Sequence, residues 1–328
     1  MEDMKLSFVN VGYGEAILLE CPDPASRGGV FTMLIDGGGA DPAEFADRSS
    51  GRIPLHEYLR AHGPRHLDLM VNTHPHEDHV SGLRPVAAML PPAELWQTLP
   101  PDLCRERMRE LDVSLARNLS QDKFLHALND CAALSRAVED AGGTVRRIEP
   151  GMSGELCRGL RYTVLAPNGA QLRELEERFT ALYAEKDEEA FLQKLNEIDS
   201  RLNNRSIILL LEYKGTRLLL PGDTNRAGYG EIDPASLRAE LFKVGHHGQR
   251  DGADDALLAA VSPSAVVCCA SSDQRYHSAE EHLMRSIADC GAKRFFSDCP
   301  PVAGETIPPH SALVFTIGAD GAIEAEYR

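Results

Sequence analysis

His74-Pro75-His76-Glu77-Asp78-His79 is the stretch that decides the reading of this chain. It is an HxHxDH run, four metal-capable side chains in six residues, entered from the apolar Leu69-Met70-Val71 and left through Val80-Ser81-Gly82. Imidazole nitrogens and carboxylate oxygens are the usual protein ligands of zinc and similar divalent ions. On a loop leaving a strand, alternate residues point the same way. His74, His76 and Asp78 are therefore expected to converge, with His79 turned toward a second ion. A His-rich surface turn would contain the same residues but would not come with matching segments elsewhere.

Three such segments follow the same design. Leu34-Ile35-Asp36-Gly37-Gly38-Gly39 ends an apolar run in an acid and three glycines. Leu218-Leu219-Leu220-Pro221-Gly222-Asp223-Thr224 repeats the pattern, and Lys243-Val244-Gly245-His246-His247-Gly248 follows about twenty residues later. Each reads as a hydrophobic strand ending in a glycine-containing turn with a ligand-type residue at its tip, and loops on a rigid frame are where α/β scaffolds carry function.

The ordered set resembles the metallo-β-lactamase superfamily over nearly the whole chain. The finer resemblance is to the branch that holds the ComEC-like nuclease domains and the phosphorylcholine esterases of teichoic acid. It rests on Val11-Gly12-Tyr13-Gly14-Glu15-Ala16, a "VGxGxA" turn, on Asn203-Asn204-Arg205-Ser206, and on His246-His247-Gly248. HxHxDH is the specific element; Gly222-Asp223-Thr224 alone is weak. The resemblance implies one domain over 1–328, of α/β (α+β) class: a four-layer αββα sandwich of two mixed sheets, with helical insertions at 91–141 and 170–200. It implies two divalent ions. His74 and His76 would hold the first, Asp78, His79 and His247 the second, and Asp223 would bridge them, while Asp36 would orient a ligand as outer carboxylates do. Zinc is the leading candidate, with Mn and Fe as alternatives, because a His/Asp site accepts all three.

One departure stands out. The superfamily's usual first site has a third His between HxHxDH and the bridging Asp. Here that interval contains only His126, inside the helical run Lys123–Leu128. His126 reads as a helix-surface residue, and the first site is expected to keep an open position. In the ComEC-like branch the third His is typically absent as well.

Composition fits an acidic enzyme. The 328 residues carry 34 Lys and Arg against 50 Asp and Glu, a net charge of −16. That balance disfavours extended nucleic-acid binding, which depends on Lys and Arg neutralising phosphates, but bound divalent ions would still admit a small anionic substrate. The eight cysteines show no CxxC pair, and Cys268-Cys269 are expected to face opposite sides of a strand as packed thiols, with a metal or redox pair as the alternative. Met1–Lys5 lacks the basic and apolar regions of a secretory signal, and no run approaches the ~20 apolar residues of a membrane span. The expectation is a cytoplasmic protein with reduced thiols and no membrane partner.

Strands are predicted at 5–11, 16–20, 30–36, 67–73, 205–213, 216–221, 240–244, 265–270, 294–297 and 311–317, with a hairpin turn at Lys214-Gly215. Helices are predicted at 80–90, 122–141, 170–200, 253–261 and 278–291, the last capped by Ser278. In 170–200, Leu175, Phe179 and Leu182, then Phe191, Leu195 and Ile198, form an apolar stripe at helical spacing. A helix or helical pair is expected there, read either as amphipathic and packed on the body, or as a lid over the site or a homodimer contact.

The expected chemistry is hydrolysis by a binuclear metal-bound hydroxide, most simply as a phosphoesterase or phosphodiesterase acting on a small-molecule phosphoester. The same hydroxide attacks carbonyl carbon, so a lactone, thioester or lactam hydrolase is the alternative, and a ComEC-like nuclease is a further one. A metal-binding protein without catalysis lies outside both. The catalytic candidates are Asp78, His246 and His277: His246 adjoins a ligand and could protonate a leaving alkoxide, and Arg275 beside His277 could pair with a phosphate oxygen.

Overall fold

A computed structural model describes residues 3–328. Two β-sheets stack face to face with helices on both outer surfaces. The first sheet contains β1 (Met4–Val9), β2 (Ile17–Pro22), β3 (Val30–Ile35), β4 (Leu67–Val71), β5 (Pro92–Gln97) and β6 (Thr144–Arg147). The second contains β7 (Ser153–Cys157), β8 (Leu160–Ala166), β9 (Ile208–Tyr213), β10 (Thr216–Leu220), β11 (Leu241–Lys243), β12 (Ala265–Cys268) and β13 (Lys293–Phe296). The chain then returns to the first sheet as β14 (Ala312–Ile317) and β15 (Ile323–Tyr327), giving the orders β15-β14-β1-β2-β3-β4-β5-β6 and β13-β12-β11-β10-β9-β8-β7.

The sheets repeat one plan. β1, β2 and β3 are antiparallel and β3 to β6 run parallel. β8, β9 and β10 are likewise antiparallel and β10 to β13 parallel. The end of β3 thus corresponds to the end of β10, and the end of β4 to that of β11. Asp36 and Asp223 follow the first pair; His74–His79 and His246-His247 follow the second.

Alternation along the strands builds three cores. Leu6, Ile17, Met33 and Val71 of the first sheet meet Leu209, Leu218, Leu241 and Val267 of the second in a dry layer between the sheets. Leu18, Leu34, Met70 and Leu95 face the helices α1 (Leu55–His62), α2 (Glu77–Val80), α3 (Leu83–Met89), α4 (Leu119–Asp140), α5 (Gly169–Ala184) and α6 (Glu188–Leu202). Leu210, Leu219, Phe242 and Val266 face α7 (Asp255–Val261) and α8 (Glu281–Asp289). Cys268 belongs to the outer core and Cys269 to the inner one, and both are buried free thiols.

Several sequence expectations need correction. The segment 91–141 is not wholly helical: Pro92–Gln97 is a strand between β4 and β6. Its Pro sits at the first strand position, where the missing N–H costs least. The helix or helical pair expected over 170–200 is the pair, broken before Asp187, whose side chain accepts from Ala190 N and caps α6. Their apolar stripe, Leu175, Phe179, Leu182, Phe191, Leu195 and Ile198, is buried against the body of the same chain. α8 is capped by Glu280, not Ser278. At the Lys214-Gly215 turn both residues take positive φ (53° and 84°), the two-residue hairpin geometry that matches strand twist.

Candidate metal centre

HxHxDH leaves β4 at the rim where the two sheets meet. The strand end places His74, and the single turn α2 turns Asp78 and His79 inward. From the facing sheet, β10 delivers Asp223 and β11 delivers His246-His247. Both of those histidines are held in left-handed backbone (φ 48° and 51°), a conformation costing about 1–3 kcal/mol that the surrounding packing must hold. Gly12 and Gly14 explain the VGxGxA turn. Each has positive φ, and a Cβ on Gly14 would stand 2.5 Å from the Asp78 carbonyl oxygen. At Gly14 the turn can lie against the HxHxDH loop only without a side chain.

Partners fix which imidazole nitrogens carry protons. His79 Nδ1 lies 2.7 Å from Asp36 Oδ2 and His247 Nδ1 lies 3.0 Å from the Cys269 carbonyl, two acceptors, so each Nδ1 donates. His76 Nε2 faces Asp199 Oδ1 at 3.0 Å. Thr73 Oγ1 donates to Asp36 at 2.6 Å, so at 3.0 Å from His74 Nδ1 it can only accept, and Ser206 Oγ stands at 3.1 Å on the same nitrogen. In the neutral rings the inner nitrogens are left as lone pairs. His74 Nε2 and His76 Nδ1 face each other at 3.0 Å. His247 Nε2 is 2.9 Å from Asp223 Oδ2 and 3.0 Å from Asp78 Oδ2, and His79 Nε2 is 3.3 Å from Asp223 Oδ2. Neither His79 Nε2 nor His247 Nε2 has a well-formed hydrogen bond despite being buried. Acceptors aimed at acceptors in a buried site call for a cation among them.

With no ion counted, the same demand for positive charge appears in the electrostatics as protons drawn onto the deep imidazoles, which a divalent ion would displace. Burial alone would push His247 down, but the Asp223 carboxylate outweighs it and lifts the imidazole to about 9. His79 is raised well above its ordinary value in the same way, against burial, by Asp223 and Asp36. Asp223 goes the other way: burial opposes its charge, yet His247, His79 and Lys243 hold it well below the usual carboxylate range. Burial and then the adjacent His79 and His76 keep His74 neutral. Asp78, His79, Asp223 and His247 bring their ligand atoms within 4.8 Å of one another, and this donor set fits a divalent ion. The His74–His76 pair adjoins it, with the His74 and His79 ring centroids 4.3 Å apart.

A cavity of about 430 Å³ opens over these groups, lined in part by Tyr13, Asp199, Asn203, His246, Gln249 and Tyr276. His246 Nδ1 pairs with Asp251 Oδ1 at 2.8 Å, leaving Nε2 for the cavity. Burial, then Asp78 and Asp223, hold the Tyr13 phenol protonated, and its ring lies 4.5 Å from that of His247 at a 47° tilt.

Two candidates are not brought in. His277 is exposed and does not line the cavity; its neighbour Tyr276 does. Gln274, Tyr276, His277 and Ala279 all have positive φ, so this loop has no regular period to tell which side chain turns inward. Arg275 is engaged by Glu44 Oε2 at 2.5 Å and stands 5.7 Å above the Tyr13 ring. His126 lies exposed on α4 beside Asp122. The residues that sequence reasoning missed are Asp199, Asp251, Glu15 and Lys243. Only Lys243 left a signal: a charged residue at an inward position of the run Leu241-Phe242-Lys243-Val244.

A family model described as the metallo-beta-lactamase superfamily matches residues 25–99, the stretch holding β3, HxHxDH and β5. The architecture is the metallo-β-lactamase sandwich. Across 86% of its length the chain is 21% identical to ComE operon protein 3 of Bacillus subtilis (strain 168), and it spans 30% of the length of that relative. Among solved structures, Zn(2+)-bound PqqB from Methylobacterium extorquens is similar at a TM-score of 0.46 with 12% identity, covering 90% of this chain and 98% of that one. A diphosphatase from the PhnP family is similar at a TM-score of 0.36 with 12% identity, covering 81% and 85%. Among the described residues no helix is long and apolar enough to cross a membrane.

Proposed function

We propose that the protein is a metal-dependent hydrolase with a binuclear site, acting as a phosphodiesterase on small phosphodiesters. The observation that carries the metal reading is the set of inward lone pairs. Asp78, His79, Asp223 and His247 bring their ligand atoms within 4.8 Å of one another with His74 and His76 adjoining, and the outer nitrogens of the four imidazoles are engaged by Asp36, Thr73 and Ser206, Asp199 and Cys269. His74 and His76 would hold the first ion, Asp78, His79 and His247 the second, and Asp223 both. Such ions, zinc foremost, supply hydroxide at neutral pH and polarise the oxygens of the scissile group.

The residues around them fit departure of an alkoxide from phosphorus. The Asp251 carboxylate holds His246 Nδ1, orienting Nε2 toward the cavity as the proton donor to the leaving oxygen. Asn225 Nδ2 steadies the other oxygen of Asp251 at 3.2 Å. Glu77, Asp78 and Asp199 line the cavity, and Lys123 is already paired with Glu77 at 3.2 Å, so the wall offers little to a polyphosphate backbone. These features favour a small diester over a nucleic-acid chain. The eight free thiols are consistent with a reducing compartment such as the cytoplasm.

The test is turnover of bis(p-nitrophenyl) phosphate measured beside a panel of lactones, thioesters and lactams, with and without chelator. The reading expects chelator-sensitive cleavage of the diester above all others. Preferred cleavage of a carboxyl-type substrate would place the chemistry at carbon, and no turnover with full metal content would mark a binding protein.

A further inference from the structure

Lys243 is fully buried, which for a lysine demands an explanation. It ends β11 on the same side as Leu241, so the alternation that fills the inter-sheet core with apolar groups here delivers an ammonium. Three acceptors surround it: the carboxylate of Glu15, the Gly222 carbonyl at 2.7 Å and Asp223 Oδ1 at 3.3 Å. Glu15 is itself completely buried and comes from the VGxGxA turn after β1, in the opposite sheet. The other oxygen, Asp223 Oδ2, faces His79 Nε2 and His247 Nε2.

We propose that Lys243 is a positioning residue for the bridging carboxylate: seated on Glu15 and the Gly222 carbonyl, it captures Asp223 Oδ1, so that Asp223 presents only Oδ2 to the metal ions. The inference rests on the metal reading above. On charge alone Lys243 is out of place, because a fixed positive charge beside a cation site repels the cation. Its presence is accounted for by what it does to geometry. A carboxylate free to rotate could chelate one ion with both oxygens and leave the other short of a ligand. With Oδ1 held, the two ions must share one oxygen. Glu15 completes the arrangement, because it neutralises the ammonium and ties the position of Asp223 to the sheet that carries HxHxDH.

The two accounts of Lys243, repulsive charge and geometric clamp, predict opposite signs. Lys243→Met alone leaves Glu15 unpaired and could unfold, so the decisive variant is Lys243→Met/Glu15→Gln. It removes one charge of each sign, leaves the pocket's net charge unchanged and conserves volume. Circular dichroism and thermal melts of the metal-free protein establish that it folds. Zn2+ affinity is measured by competition with a coloured chelator, and the visible spectrum of the Co2+-loaded protein reports the coordination. The expected result is a folded protein whose Zn2+ affinity is about 10–100-fold weaker, the usual cost of losing an outer-sphere partner, with an altered Co2+ spectrum. Equal or tighter Zn2+ binding with an unchanged Co2+ spectrum would overturn the inference while leaving the metal site standing. Failure of the wild-type protein to take up Zn2+ or Co2+ would overturn the metal reading itself, and this inference with it. If the double variant does not fold, Glu15→Gln alone decides: it keeps the Lys243–Asp223 contact but frees the ammonium from its anchor. Weakened Zn2+ binding with a shifted Co2+ spectrum supports the clamp, and an unchanged spectrum overturns it.

Discussion

The two halves of the candidate metal centre are built to different standards. The deep half, His79 and His247 with Asp78 and Asp223, sits between the sheets, and both imidazoles are wholly buried. They are held from behind by Asp36 and by the Cys269 backbone, groups fixed at the ends of core strands. The shallow half is the pair His74 and His76. His74 is just as buried, but His76 keeps 18% of its side chain exposed at the cavity wall. Its brace, Asp199, comes from α6, and Ser120 Oγ of α4 donates to the other oxygen of that carboxylate at 2.8 Å. The lesson is that strand ends brace the deep half from behind, whereas His76 in the shallow half depends on helices packed over the first sheet. In this structure the segment 170–200 packs on the body of the chain, and its Asp199 braces His76.

Asp223 belongs to both halves, so its loss should erase the difference. Asp223→Ala is expected to lose both ions and all hydrolysis, read by elemental analysis and by diester turnover. Full metal content in this variant would mean that the two groups of ligands do not share a centre. Next in size is the contrast between adjacent histidines. His247→Ala should strip the deep ion, while His246→Ala should keep both ions and lower turnover by roughly 10²–10⁴, the contribution of a positioned acid. Nitrophenyl diesters, whose leaving group needs no proton, should suffer less than alkyl diesters. If His246→Ala instead loses metal, the two roles are exchanged. The smallest expected effect sharpens the comparison most. Asp199→Ala should weaken only the shallow ion, by about 10–100-fold, as loss of a ligand's hydrogen-bond partner does. Equal weakening of both ions would show that α6 stabilises the centre as a whole.

Much of this was legible in the sequence. HxHxDH, Asp223 and His247 are local motifs just after strand ends, where a rigid frame fixes the side chains that follow it. The Lys214-Gly215 hairpin was readable because its turn chemistry is local. What could not be read depended on distant partners or on irregular backbone. Asp199 lies 123 residues from His76, and nothing near either residue announces the pair. Asp251 becomes meaningful only once His246 takes its left-handed conformation. Tyr276 replaced His277 at the cavity because a loop with positive φ at Gln274, Tyr276, His277 and Ala279 has no period to count. β5 was hidden by Pro91-Pro92, which reads as a break although Pro92 opens a strand.

The central claim is that two ions share Asp223 and are held unequally. Crystals of the metal-loaded protein, soaked in a limiting amount of chelator and measured with anomalous scattering at the metal edge, test it directly. The account predicts two peaks flanking Asp223 Oδ2, with the peak beside His74 and His76 fading first while the one beside Asp78, His79 and His247 persists. A single peak before any chelator is added, or first loss from the deep position, would contradict it.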